Sequence, residues 1–115
     1  MKKVYHLKKC TTCQRILEIL NWDEEAQEIR SEKITEQQLD EMASLAGSYE
    51  ALFSRRAIKY KTMKLKEKSL IESDYKQLIL AETTFLKRPV FLINGNIFVG
   101  NAKKTVEAVQ AALHE

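Results

Sequence analysis

Two rhythms of apolar residues run along the chain. Val4, Tyr5 and Leu7 are strand-formers and predict a short strand over 3–7. After a polar turn at 8–12, Ile16, Leu17, Ile19 and Leu20 carry a helical period and predict a helix over 13–20. Residues 26–30 read as a second short strand. Thr35 and Gln38 form the T-x-x-Q pattern of a capping box. Leu39, Met42, Ala43, Leu45 and Ala46 then continue a helix that Gly47 ends. Residues 49–53 suggest one further helical turn, and 55–68 lacks a clean period and reads as loop with a short helix. Ser73 is placed to cap a helix over 74–81 with Tyr75, Leu78 and Ile79 on one face. Pro89 opens a strand over 90–93, and Asn94-Gly95-Asn96 separates it from an apolar run at 97–99. Asn-Gly between two apolar runs is a hairpin signal, because both residues tolerate positive φ. Ala102, Val106, Val109 and Leu113 form one stripe of a last helix.

Composition narrows the class. The 115 residues suit one domain, 1–115, and 44% hydrophobic with 30% charged residues is globular. The longest uncharged run, Pro89 to Ala102, has fourteen residues, short of the ~20 that span a bilayer. Only Val4–Leu7 separate Lys3 from Lys8, too short for the apolar region of a secretory signal. The expectation is a cytoplasmic protein with no membrane association. Net charge is only +3, but its distribution is uneven. Acids dominate from Glu18 to Glu50, whereas Arg55 to Lys68 holds seven bases against Glu67 alone. Tyr60 is the one aromatic interleaved with those bases, too few for a base-stacking platform, so no direct nucleic-acid contact is expected. Trp22, Tyr49, Tyr60 and Tyr75 are read as packing residues.

Cys10 and Cys13 carry the most information. Two cysteines cannot form a disulfide framework, and C-x-x-C in a cytosolic setting suggests redox chemistry or metal binding. Zinc wants four ligands, and His6, Cys10 and Cys13 make three at best. A pair of buried structural cysteines is the plainer alternative. In the redox reading, a helix N-terminus and nearby Lys8, Lys9 and Arg15 favour a thiolate at Cys10. Cys13, one turn on, is placed to resolve an adduct or close a reversible disulfide. A C-x-x-C opening the first helix, a proline entering a hairpin, and the order of elements together point to an α/β, thioredoxin-like (glutaredoxin-like) fold. It has a mixed sheet with helices on both faces and a helical insertion, about 35–85, between strand 2 and the C-terminal β-hairpin. Arg55, Arg56 and Arg88 could hold an oxyanion through their guanidinium forks.

Three stretches in the right order carry a resemblance over essentially the whole chain: Cys10-Thr11-Thr12-Cys13-Gln14-Arg15, Leu52-Phe53-Ser54-Arg55-Arg56, and Lys87-Arg88-Pro89-Val90 with the hairpin and Val99-Gly100. The chain resembles the ArsC family, which holds glutaredoxin-coupled arsenate reductases and the Spx transcriptional regulators. The resemblance implies a Cys10 nucleophile, an active-site loop with Thr11, Thr12 and a cis-Pro89, and oxyanion binding by Arg88 with Arg56 or Arg55. Arg56 is preferred, since Ser-x-Arg followed four residues on by Tyr60 resembles the Spx branch. It also implies a thiol–disulfide oxidoreductase acting on arsenate or a related oxyanion, or on a thiol. Glutathione would be a cosubstrate and glutaredoxin a partner, with no metal and no bound cofactor. The alternative is an Spx-like regulator that binds RNA polymerase, with Cys10–Cys13 as its switch. Two features depart from the reductases. Their third oxyanion arginine corresponds here to Gly100-Asn101, where Lys103 or Lys104 offers only a point charge. Their single essential cysteine is here a C-x-x-C.

Overall fold

The computed structural model describes residues 1–114. They form two compact units, Met1–Lys33 with the residues from Arg88 onward, and Ile34–Lys87.

The first unit is built on a four-stranded mixed sheet of order β2-β1-β3-β4. Strand β1 (Lys2–His6) lies parallel to β2 (Glu25–Glu28) and antiparallel to β3 (Val90–Ile93), which pairs with β4 (Asn96–Val99). The hairpin turn is the one the Asn-Gly pair predicts: Asn94 and Gly95 have φ of 49° and 88°. A parallel β1–β2 pair needs a crossover, supplied by helix α1 (Thr11–Ile19). The last helix, α5 (Lys103–Leu113), follows the hairpin. Val4 faces Phe91 across the β1–β3 ladder, and Ile93 is two residues on, so all three share a face. Ile16 and Leu20 from the α1 segment and Val109 and Ala112 from α5 pack on that face to form one apolar core. Trp22 closes its edge, with its ring against Phe91 at 5.3 Å. Ile19 lies outside this stripe and is exposed. The opposite face carries Tyr5, Val90 and Leu92, also buried.

The second unit is the helical insertion, wholly without strands among its described residues: α2 (Glu36–Ala46), α3 (Ile58–Thr62) and α4 (Glu72–Ala81), with short 3-10 turns at Glu50–Leu52, Leu65–Glu67 and Thr83–Phe85. The capping box forms as read: the Thr35 hydroxyl accepts from Gln38 N, and Thr35 N donates to the Gln38 side chain, both at 3.0 Å. Gly47 terminates α2 in the left-handed region, at φ 100°. Ser73 does not cap α4. The helix starts two residues earlier than expected, at Glu72, with Ile71 at the N-cap position, and the Ile71 N–H donates to Asp74 at 3.0 Å. Asp74, three residues into the pattern, therefore provides the carboxylate half of a box whose cap side chain has no acceptor. Phe53 centres the aromatic packing, meeting Tyr60, Tyr75 and Phe85. A bridge between Phe53 and Leu86 ties together the two ends of the stretch 53–86.

Candidate functional site

Cys10 is the N-cap of α1, three residues ahead of the predicted helix start. Its backbone is extended, at φ −86° and ψ 102°, and its Sγ accepts from Cys13 N at 3.4 Å. Sulfur thus occupies the role that Ser, Asp or Asn oxygen usually fills at a helix N-terminus. That position gives the thiol a fixed N–H donor and the positive end of the helix. The turn before it is held at several points. Cys10 N donates to Leu7 O at 3.0 Å. The Gln14 amide donates to Leu7 O at 3.2 Å and meets His6 Nδ1 at 3.1 Å. Thr11 and Thr12 form the first turn of the helix; Thr11 is exposed and Thr12 half-buried.

Arg88 arrives by the sheet register. Tyr5 stands opposite Val90, so the residues ahead of β3 run beside those leaving β1 toward Cys10. The Arg88–Pro89 peptide bond is cis, as the resemblance implied, and Pro89 is buried. Burial pushes the Cys10 thiol up. Hydrogen bonds from the Cys13 thiol and backbone, with the charge and hydrogen bond of the Arg88 guanidinium, outweigh it and hold Cys10 below the ordinary cysteine value. Cys13 goes the other way. It is fully buried, and burial with the hydrogen bond it gives Cys10 pushes its thiol up to about 12. Two cysteines three residues apart are therefore differentiated by environment, one toward thiolate and one toward thiol. Both are free.

Arg55 and Arg56 belong to the helical unit. Arg55 is engaged there: its guanidinium donates to Glu50 at 2.9 Å and to the Tyr75 hydroxyl at 3.2 Å, and lies over the Phe53 and Tyr75 rings. Arg56 is exposed, and its backbone N–H donates to Ser54 Oγ at 3.3 Å. Arg55 is thus committed to contacts within its own unit, while the Arg56 side chain is exposed. Asn101, Lys103 and Lys104 are all exposed.

Sequence reasoning missed Gln14 and Glu28. Gln14 directly follows the C-x-x-C and could have been suspected from that adjacency. Glu28 left no local signal, because the contact that matters, to Lys8, is made across a strand pair.

A thiol held as helix N-cap beside an arginine, on a sheet of order β2-β1-β3-β4, defines a thioredoxin-like thiol protein. The chain belongs to the ArsC family, whose model matches residues 5–109. Solved structures agree on the fold. The protein YffB superposes with a TM-score of 0.81 at 21% identity, covering 98% of this chain and 99% of the other. A protein related to the ArsC family from Bacteroides fragilis gives 0.78 at 22% identity, over 94% and 97% of the two chains. Arsenate reductase from Vibrio cholerae gives 0.78 at 16%, over 96% of each. No curated protein sequence matches the chain. No helix among the described residues is long and apolar enough to cross a membrane.

Proposed function

We propose that the protein is a thiol–disulfide oxidoreductase in which the Cys10 thiolate attacks arsenate or a related oxyanion. The observation that carries this reading is the Cys10 environment: an N-cap sulfur beside Arg88, with its thiol held below the ordinary value. Attack of Cys10 on As(V) forms an S–As bond and releases water. A glutathione thiolate then attacks the Cys10 sulfur. The S–As electron pair stays on arsenic, which leaves as arsenite, and Cys10 becomes a glutathione mixed disulfide. Glutaredoxin or a second thiol restores Cys10. Each turnover thus reduces arsenic by two electrons and oxidises two thiols to one disulfide. Arg88 acts first on the Cys10 thiolate and then on the bound oxyanion, where a fork can follow charge as it develops. Arg56 is the second oxyanion ligand in this reading, on the strength of the Leu52–Arg56 likeness. With Asn101 in place of a third arginine, oxyanions are held more weakly than in a site with three forks.

One observation favours a second reading. Cys10 and Cys13 are both free thiols one helical turn apart, with the Cys13 backbone N–H already on the Cys10 sulfur at 3.4 Å, the juxtaposition a disulfide switch would use. In that case the chain is an Spx-like regulator whose partner is RNA polymerase. An arsenate-reduction assay with glutathione and glutaredoxin, run beside polymerase pull-downs of reduced and oxidised protein, separates the two. Arsenite formation that disappears in Cys10→Ser is expected. Oxidation-dependent polymerase binding without turnover would overturn the enzyme reading.

A further inference from the structure

Glu28 stands at the end of β2 and spends both carboxylate oxygens on backbone N–H groups. Oε2 accepts from Lys8 N at 2.7 Å. Oε1 accepts from Arg30 N at 3.0 Å, from Ser31 N at 2.7 Å and from Ser31 Oγ at 2.9 Å. Three of these donors lie in the turn that follows β2, and one lies in the turn that precedes Cys10. Between them, Ile29 N donates to His6 O at 2.9 Å and extends the β1–β2 pairing to the last residue before the thiol turn. Glu28 therefore joins the exit of β2 to the turn that delivers Cys10 to the helix. Lys8 is two residues from Cys10, and Cys10 N is itself bonded back to Leu7 O. Losing the Lys8 anchor frees the segment whose geometry sets where the sulfur sits on the helix N-terminus.

The carboxylate is well suited to this. The Lys8 N–H above all, against a smaller effect of burial and with help from Ser31 and Arg30, holds Glu28 at about 2. It is ionised at any pH where Cys10 chemistry is of interest. We propose that Glu28 is a positioning residue for the Cys10 thiolate, acting through Lys8 and the turn 7–10. This rests on the reading of Cys10 as the nucleophile and adds the part that orients it.

Charge and geometry predict opposite signs, which makes the proposal testable. A carboxylate near a thiolate repels it, so deleting Glu28 for its charge alone would lower the Cys10 value. Deleting it as an anchor loosens the N-cap contact and the approach to Arg88, and raises it. Among the described residues, Cys13 and Arg88 bear on Cys10, and the Glu28 charge bears on His6. The experiment is the pH profile of Cys10 alkylation by iodoacetamide, read by mass spectrometry of the Cys10 peptide. It is run on the full chain, on Glu28→Ala, and on Glu28→Gln. An amide has one acceptor, so Gln cannot serve both Lys8 N–H and the Arg30–Ser31 N–H groups and should move with Ala. Both variants should raise the Cys10 midpoint by about one unit, a roughly tenfold slower reaction on the acid side. Glu25→Gln, which removes a β2 carboxylate paired with Lys3, should leave the profile in place. In the unaltered protein, the Lys8 amide should be protected from hydrogen exchange. An unchanged or lowered midpoint in folded Glu28→Ala overturns the proposal, as does a freely exchanging Lys8 amide. An ordinary Cys10 value in the parent chain would instead remove the nucleophile reading, while the difference between parent and variant still reports the anchor.

Discussion

Replacing Cys13 isolates one contribution to the Cys10 thiolate. Two hydrogen bonds reach that sulfur from residue 13, one from the backbone N–H at 3.4 Å and one from the thiol. Cys13→Ala keeps the first and deletes the second; Cys13→Ser keeps both, with a hydroxyl as the donor. Since Cys13 stays a thiol up to about 12, its removal relieves no competing negative charge at neutral pH. The change therefore reads a hydrogen bond to a charged acceptor, worth about 1.5–3 kcal/mol. A thiol is a weak donor, which places it at the low end, and at ~1.4 kcal/mol per unit the Cys10 midpoint should rise by about one unit in Cys13→Ala. Cys13→Ser should keep the parent value or fall below it. Alkylation rate and thiolate absorbance against pH both measure the midpoint. A Cys13→Ala midpoint equal to the parent's would mean that the N–H and Arg88 hold the thiolate alone, and the differentiated pair described above would be wrong.

Arg88→Ala should raise the Cys10 midpoint and weaken oxyanion binding about 10- to 150-fold, the cost of one charge-assisted contact; calorimetric anion titration checks it, with Arg88→Lys recovering charge but not the fork. Cys13 also predicts an alkaline loss of stability. Its folded value of about 12 lies above the reference value of 9.0, so the folded state binds more protons there, and its contribution is full below pH 9 and lost as pH rises toward 12. Denaturant melts across that range should fall more steeply for the parent than for Cys13→Ser. Thr35→Ala removes the hydroxyl half of the α2 capping box and should cost about 1 kcal/mol by chemical denaturation, leaving the Cys10 profile unaltered.

What the sequence determined follows from local physics. The Asn94-Gly95 turn, the Thr35–Gln38 box and the Gly47 terminus depend on residues within a few positions of one another, and each formed as the pattern required. The C-x-x-C spacing likewise put Cys13 one turn below Cys10. The misjudged positions are those where a local signal had competitors. Ser73 looked like a cap, but Asp74 could accept from Ile71 N and moved the start of α4 to Glu72. The first helix starts at Thr11 because sulfur serves as its cap, a role oxygen-based rules do not anticipate. Tertiary structure decided the rest. Arg88 bears on Cys10 because β3 runs antiparallel to β1 in a register that brings Pro89 and Arg88 beside the thiol turn. Arg55 and Arg56 are adjacent in sequence and equal in charge, and only the positions of Glu50 and Tyr75 show which one is committed. Glu28 and Lys8 are twenty residues apart and meet because β2 lies parallel to β1, so their hydrogen bond is a property of strand pairing that no local pattern encodes.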